Sequence, residues 1–249
     1  MRRRASSPPL TAVNGNNTMG KKAIVLSSGG IDSTTCLALA VSEIGAENVA
    51  SLTIFYGQKH RVELHAAQAV AQHYGVRQFE FDLSQIMQFS NCALLDGSTQ
   101  EISHSTYRDQ RAENGGKVAT YVPFRNGLML SAAASLAQSI YENDDCDLYL
   151  GAHADDAAGN AYADCSVPFL EHIGQAIAIG TYDRVRLMAP FSTFNKAAIV
   201  ACGLKLGVPY QLTWSCYEGG ERPCGECATC RDRAAAFAAN GVADPALNH

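Results

Sequence analysis

Two short strings carry the residue types that do chemistry. The first is SCYEGGERPCGECATCRDR, which holds Cys216, Cys224, Cys227 and Cys230 in a C-x7-C-x2-C-x2-C spacing. Four thiolates this close in sequence can meet on one tetrahedral ion at about 2.3 Å per bond, and zinc is the ion such a set suits. Sulfur at every position leaves no place for a reactive water, so the expected role is structural. Arg222, Arg231 and Arg233 would offset the negative charge of the centre. Three rivals fit less well. Disulfides need an oxidising compartment; an iron–sulfur site of the C-x2-C-x2-C kind places its fourth cysteine after the run, before a proline; and a nucleic-acid ribbon needs a basic, aromatic face.

The second string is VLSSGGIDSTT, Val25 to Thr35. Gly29 and Gly30 let the backbone turn and bring N–H groups close to an anion. Ser28, Ser33, Thr34 and Thr35 add hydroxyls, and a helix starting here offers its positive end. The pattern suits a phosphate chain, yet it lacks the lysine of a G-K-[ST] loop. Asp32 has two roles open to it, capping the helix or placing Mg2+, and capping is the simpler expectation.

These strings need a frame. KKAIVLSS is a short apolar run fit for a buried strand, and the helix that follows to Ile44 carries Leu37, Val41 and Ile44 on one face, with Asp32 or Ser33 as cap. Strand-like runs recur at residues 48–57, 77–84, 145–152 and 183–191, and helix-like runs at 60–75, 127–142, 168–180 and 196–207. Strands alternating with helices predict an α/β fold with a parallel sheet and ligands beyond the carboxyl ends of its strands. SSGGIDS, FYGQ and GAHADD are the loops at that edge. Residues 85–118 read as an insertion near the site.

SGGIDS, Ser28 to Ser33, resembles the PP-loop of the N-type ATP pyrophosphatases without a departure. With the four cysteines, and with FYGQKHRVE, YVPFRNGLML, GAHADDAAGNAYADC, PFSTFNKAAIV and GVPYQLTWSCYEGG in order, residues 20 to 240 are similar to the 7-cyano-7-deazaguanine synthase family. That resemblance implies a doubly wound, mostly parallel sheet of the adenine nucleotide alpha hydrolase-like, PP-loop kind, with a small C-terminal zinc-binding segment built on the four cysteines. It implies an ATP-dependent ligase: 7-carboxy-7-deazaguanine is activated by Mg-ATP, ammonia gives the amide, and a second activation gives the nitrile. It implies Ser27, Ser28, Gly29, Gly30, Ile31, Asp32, Ser33, Thr34, Thr35, Cys36 and Leu37 at the nucleotide, with Asp32 and Lys196 catalytic. Arg125, Asn126, Asp155, Asp156 and Asp164 follow as substrate residues: Arg125 for the carboxylate in bidentate fashion, Asp155 and Asp156 for Mg2+ or a helix N-terminus, Asp164 for the guanine-like edge. Lys196 is either the cation the loop lacks or a solvated lysine; His153 is packed or catalytic. Cys165 lines the substrate or the core, since no covalent intermediate is required. Phe124 stands where many members have glycine before Arg-Asn, and Ala163 where proline is frequent.

The charge balance limits the alternatives. Nineteen basic against 24 acidic residues give −5, so no basic excess exists for bulk attraction to nucleic acid. No run approaches the ~18 apolar residues of a membrane span, and Met1–Gly20 reads as a disordered extension without an export signal. A cytoplasmic homodimer is expected, with residues 21–210 as the ATP domain and 211–249 as the zinc segment with a terminal helix. The remaining readings are a PP-loop enzyme acting on another carboxylate or an RNA base carbonyl, and an inactive zinc-ribbon module.

Overall fold

A computed structural model describes residues 20–105, 109, 110, 112, 118–157 and 161–247. The expected N-terminal extension lies, but for Gly20, outside the described residues, as does part of the 85–118 insertion. Five strands, β1 (Lys21–Leu26), β2 (Val49–Phe55), β3 (Arg77–Asp82), β4 (Asp145–Tyr149) and β5 (Val185–Met188), form one sheet in the order β3-β2-β1-β4-β5. Every pairing is parallel, and Ala23 of β1 sits level with Val49 of β2 and Asp147 of β4. The helices are α1 (Ile31–Ile44), α2 (Val62–Tyr74), α3 (Ser84–Met87), α4 (Arg125–Ile140), α5 (Ala154–Ala157), α6 (Val167–Gly180), α7 (Lys196–Lys205) and α8 (Ala228–Ala239).

Because side chains alternate along a strand, β1 feeds two cores. Ile24 and Leu26 join Leu130 and Ala133 of α4 and Leu170 and Ile177 of α6 on one face. Ala23 and Val25 join Leu37 of α1, Val70 of α2, Ile199 of α7 and Phe237 of α8 on the other. A sheet covered on both sides explains why β1 and β2 carry runs of consecutive buried residues, Ala23 to Leu26 and Val49 to Ile54, and why β4 is buried from Cys146 to Tyr149 even at Asp147.

The chain passes from β1 outward to β3 and then returns to β4 on the other side of β1. Strand order therefore reverses between β1 and β4, and the crevice beyond their carboxyl ends is where a ligand enters such a sheet. The loops after these strands are Ser27–Gly30 and Leu150–His153. The second packs against the start of α1, into which the first leads: a Cβ on Gly151 would come within 2.9 Å of the Asp32 carbonyl carbon.

Candidate active site and metal centre

Gly29 turns the chain out of β1 at φ +75, and a Cβ there would come within 2.5 Å of the Ala67 nitrogen in α2. Both the left-handed backbone and the close approach exclude a side chain. Gly30 is the N-cap of α1 and no side chain caps the helix. Asp32 thus does not cap, contrary to expectation, and the first-turn N–H groups are left to the crevice, where they suit an anion. The Ser33 hydroxyl accepts from the Ser28 N–H at 3.2 Å and meets the Ser28 hydroxyl at 3.2 Å, which holds the loop mouth closed.

Not all of the loop faces the ligand. Ser27, Ser28, Gly30, Ile31, Asp32 and Ser33 line a cleft of about 230 Å³. Thr35 turns back to bond the Ile31 carbonyl at 2.8 Å and the Tyr210 hydroxyl at 2.9 Å. Thr34, Cys36 and Leu37 are fully buried and do not line the cleft, so with Thr35 four of the eleven expected nucleotide residues are enclosed in the core instead of standing on the cleft wall.

Lys196 comes to this loop from α7. Asn195 caps that helix by accepting from the Ala198 N–H at 2.9 Å, and Asp155 accepts from the Lys196 N–H at 2.8 Å. The anchored side chain then places Nζ 2.6 Å from Asp32 Oδ2. Burial opposes its charge, but the Asp32 and Asp156 carboxylates outweigh burial and hold the Lys196 ammonium above its ordinary range. Asp155 and Asp156 therefore do not act as a matched pair. Asp155 serves the start of α7, while Asp156 lines the cleft, with its carboxylate 3.3 Å from His153 Nε2. His153 is buried beside Asp32 as well, at 3.7 Å.

On the opposite wall, Arg125 begins α4. Its approach uses Phe124 in a left-handed conformation, φ +52, which glycine adopts without strain and a phenylalanine does not. The helix starts two residues before the expected Gly127 because Asp164 Oδ2 accepts from the Asn126 N–H at 2.9 Å. The Asn126 side chain donates to the Asp164 carbonyl at 3.1 Å and to Cys165 Sγ at 3.2 Å. Asp164 is thus buried against α4 rather than open to a purine edge. Arg125 itself lies over the Tyr56 ring at 5.3 Å, lines the cleft, and donates to the Tyr56 hydroxyl at 3.4 Å. Burial pushes the Cys165 thiol up to about 12, which keeps it protonated and unfit as a nucleophile.

Two features of this wall carry no distinctive sequence signal. Glu63, in the first turn of α2, faces the cleft, and burial pushes its carboxyl up to about 7. Trp214, Ser215, Tyr217 and Arg233 reach the same cleft from the C-terminal segment. The hint for Glu63 is its place in the first turn after β2, at the ligand edge.

The cysteines converge as their spacing predicts. The ligand atoms of Cys216, Cys224, Cys227 and Cys230 lie within 4.8 Å of one another, and Cys224 Sγ is 4.0 Å from Cys230 Sγ. Tetrahedral bonds of about 2.3 Å require sulfurs about 3.8 Å apart, so the four fit such an ion. Hydrogen bonding between Cys227 and Cys230 lowers the first thiol and raises the second, as for two sulfurs sharing one proton. Arg233 does not offset their charge, because it is committed to Asp244 at 2.6 Å. The segment is tied to the loop: the Trp214 N–H donates to the Gly29 carbonyl at 2.9 Å, and the indole N–H donates to the Cys216 carbonyl at 2.8 Å.

Residues 22–241 match the family model described as queuosine biosynthesis protein QueC. The chain is 41% identical over 228 residues to a 7-cyano-7-deazaguanine synthase of Archaeoglobus fulgidus, covering 91% of this chain and 90% of that one. It is 40% identical to that of Thermoplasma acidophilum, covering 90% and 91%, and 36% identical to that of Psychromonas ingrahamii, covering 91% and 97%.

Proposed function

The chain belongs to the QueC family of queuosine biosynthesis proteins, and from that premise we propose that it is an ATP-dependent ligase converting 7-carboxy-7-deazaguanine and ammonia to the 7-cyano base. One observation carries the reading: a single cleft is lined both by the phosphate loop with Lys196 and by Arg125. ATP then lies with its leaving pyrophosphate on the Ser28–Ser33 loop. Arg125 holds the substrate carboxylate, whose oxygen attacks the α-phosphorus. Ammonia displaces AMP to give the amide, and a second round through the amide oxygen gives the nitrile.

The residues divide this work. Uncapped N–H groups of α1 and the Ser28 and Ser33 hydroxyls bind the pyrophosphate. Lys196 neutralises charge developing on it, a role worth about 10²–10³ in rate where such a group is removed. Asp164 positions the start of α4, and Asn126 lines the cleft beside Arg125. The buried, unpartnered Asp32 Oδ1 and the Asp156 carboxylate suit a hard cation such as Mg2+, which would neutralise the phosphates. The four cysteines would hold zinc, which would fix the C-terminal segment against the loop.

The same proposal takes residues 21–210 as the ATP domain and 211–249 as the zinc segment, and has the enzyme act on small molecules, without nucleic acid, as a cytoplasmic homodimer. The net charge of −5 supports small-molecule substrates, and among the described residues no helix is long and apolar enough to cross a membrane. The test is to incubate the protein with 7-carboxy-7-deazaguanine, ammonium and Mg-ATP and follow products by mass spectrometry. Nitrile and AMP are expected; ATP consumption without amide or nitrile would overturn the proposal.

A further inference from the structure

Glu63 has no part in the scheme above, yet its surroundings are unusual for a carboxylate. The Glu63 backbone carbonyl packs against the phosphate loop, 2.7 Å from where a Gly29 Cβ would stand. Its side chain lines the cleft between that loop and Arg125. Among the described residues, no hydrogen bond or ion pair engages the carboxylate; the charged and titratable groups it senses are Arg125 from α4 and Tyr56 from the end of β2. Packed against the loop and within the field of Arg125, it sits where the activated carboxyl and the α-phosphate would meet, with an open acceptor.

On the reading given under Proposed function, we propose that Glu63 is the group that draws ammonium into the site and takes its proton. In neutral water the nucleophile exists almost wholly as ammonium, which has no lone pair to give. The Glu63 carboxylate accepts one proton, leaving neutral ammonia and a carboxylic acid. The lone pair so freed forms the C–N bond at the acyl carbon, and the C–O bond to AMP breaks with its electron pair on the phosphate oxygen. The nitrogen of the adduct loses one further proton to water, and Glu63 later returns its own to solvent. The carboxyl, held near neutrality by burial, is poised for this exchange, because a base works best when its pKa lies near the working pH.

Hydroxylamine makes the test, since it is already an uncharged amine at neutral pH and needs no such step. Full-length wild type and Glu63→Gln are compared with 7-carboxy-7-deazaguanine and Mg-ATP, using ammonium or hydroxylamine from about pH 6 to 9. The ratio of the two kcat/KM values within one variant cancels any change in adenylation. In Glu63→Gln, kcat/KM for ammonium should fall about 10²-fold while that for hydroxylamine stays within about threefold. In the wild type alone, kcat/KM for total ammonium should level off above about pH 7, and in the variant it should keep climbing as solution ammonia accumulates. Equal losses for both nucleophiles would mean that Glu63 binds the acid or supports the fold, and would overturn the proposal. So would a wild-type profile that never levels. If the wild type consumes no ATP with either nucleophile, the ligase reading itself fails instead.

Discussion

Asp244→Ala should destabilise the protein far more than its position five residues from the last residue suggests. Arg233 and Asp244 side chains are 5% and 4% exposed, and they meet through two bonds, Nε to Oδ2 at 2.6 Å and Nη2 to Oδ1 at 2.9 Å. Arginine cannot shed its proton, so deleting the carboxylate leaves a buried charge. Breaking a buried pair from one side costs about 3–5 kcal/mol. Arg233 keeps three other acceptors, the Tyr210 carbonyl at 3.1 Å, Thr213 Oγ1 at 2.8 Å and Ser215 Oγ at 3.3 Å, which puts the cost at the lower end. At about 2–4 °C per kcal/mol for a chain of this size, ~3 kcal/mol is a drop in Tm of about 6–12 °C. Circular dichroism melts at neutral pH read this directly. Arg233→Met with Asp244→Leu should recover most of the loss, because it removes the stranded charge as well as the pair. A single-variant drop under about 3 °C, or no recovery in the double variant, would refute the reasoning.

Three further outcomes are expected. Lys196→Gln should lower kcat for ATP-dependent turnover about 10²–10³-fold with a smaller change in melting temperature; steady-state kinetics beside a thermal melt separate the two. Gly29→Ala should cost more than the ~1–2 kcal/mol of a left-handed residue, because its methyl also meets the α2 backbone at 2.5 Å, and a denaturant midpoint close to wild type would contradict that packing. The Glu63 carboxyl is raised in the fold, from 4.5 to about 7, so the native state binds its proton more tightly than the unfolded chain. Its stabilising contribution is present below about pH 4.5 and is lost as pH rises toward 7, so Glu63→Gln should gain up to ~3 kcal/mol over wild type between those limits, and parallel stability curves would count against it.

Much of the frame is legible because the apolar runs of β1 and β2 suit a doubly covered sheet, and because Gly45 and Gly75 close α1 and α2. The cysteines are legible because their spacing is local. What periodicity does not show is which face a motif residue takes once a helix begins. Thr35, Cys36 and Leu37 belong to the same string as Ser33, yet the turn of α1 sends them into the core. The family resemblance makes Asp164 a purine acceptor, but its oxygen caps α4 from 38 residues away. A side chain's hydrogen-bond debt to a distant helix terminus leaves no trace in its own neighbourhood of sequence.

Lys196 shows how the missing lysine of the phosphate loop is resolved. A loop that carried its own lysine would fix the cation to the same short turn as the phosphate donors. Here the cation stands 164 residues away from Asp32 and is delivered by α7, whose start is held by Asn195 and Asp155. Asp155 belongs to α5, the short helix that follows β4, so the cation is positioned from the strand that lies beside β1 at the reversal point of the sheet. Asp32 pairs with the ammonium; on the proposed function a phosphate would compete for it, and the Asp32 carboxylate would be free to serve a cation. The acid in the first turn of α1, which would otherwise repel the anion it faces, then acts as a placeholder that keeps Lys196 charged and aimed at the phosphate site before ATP arrives.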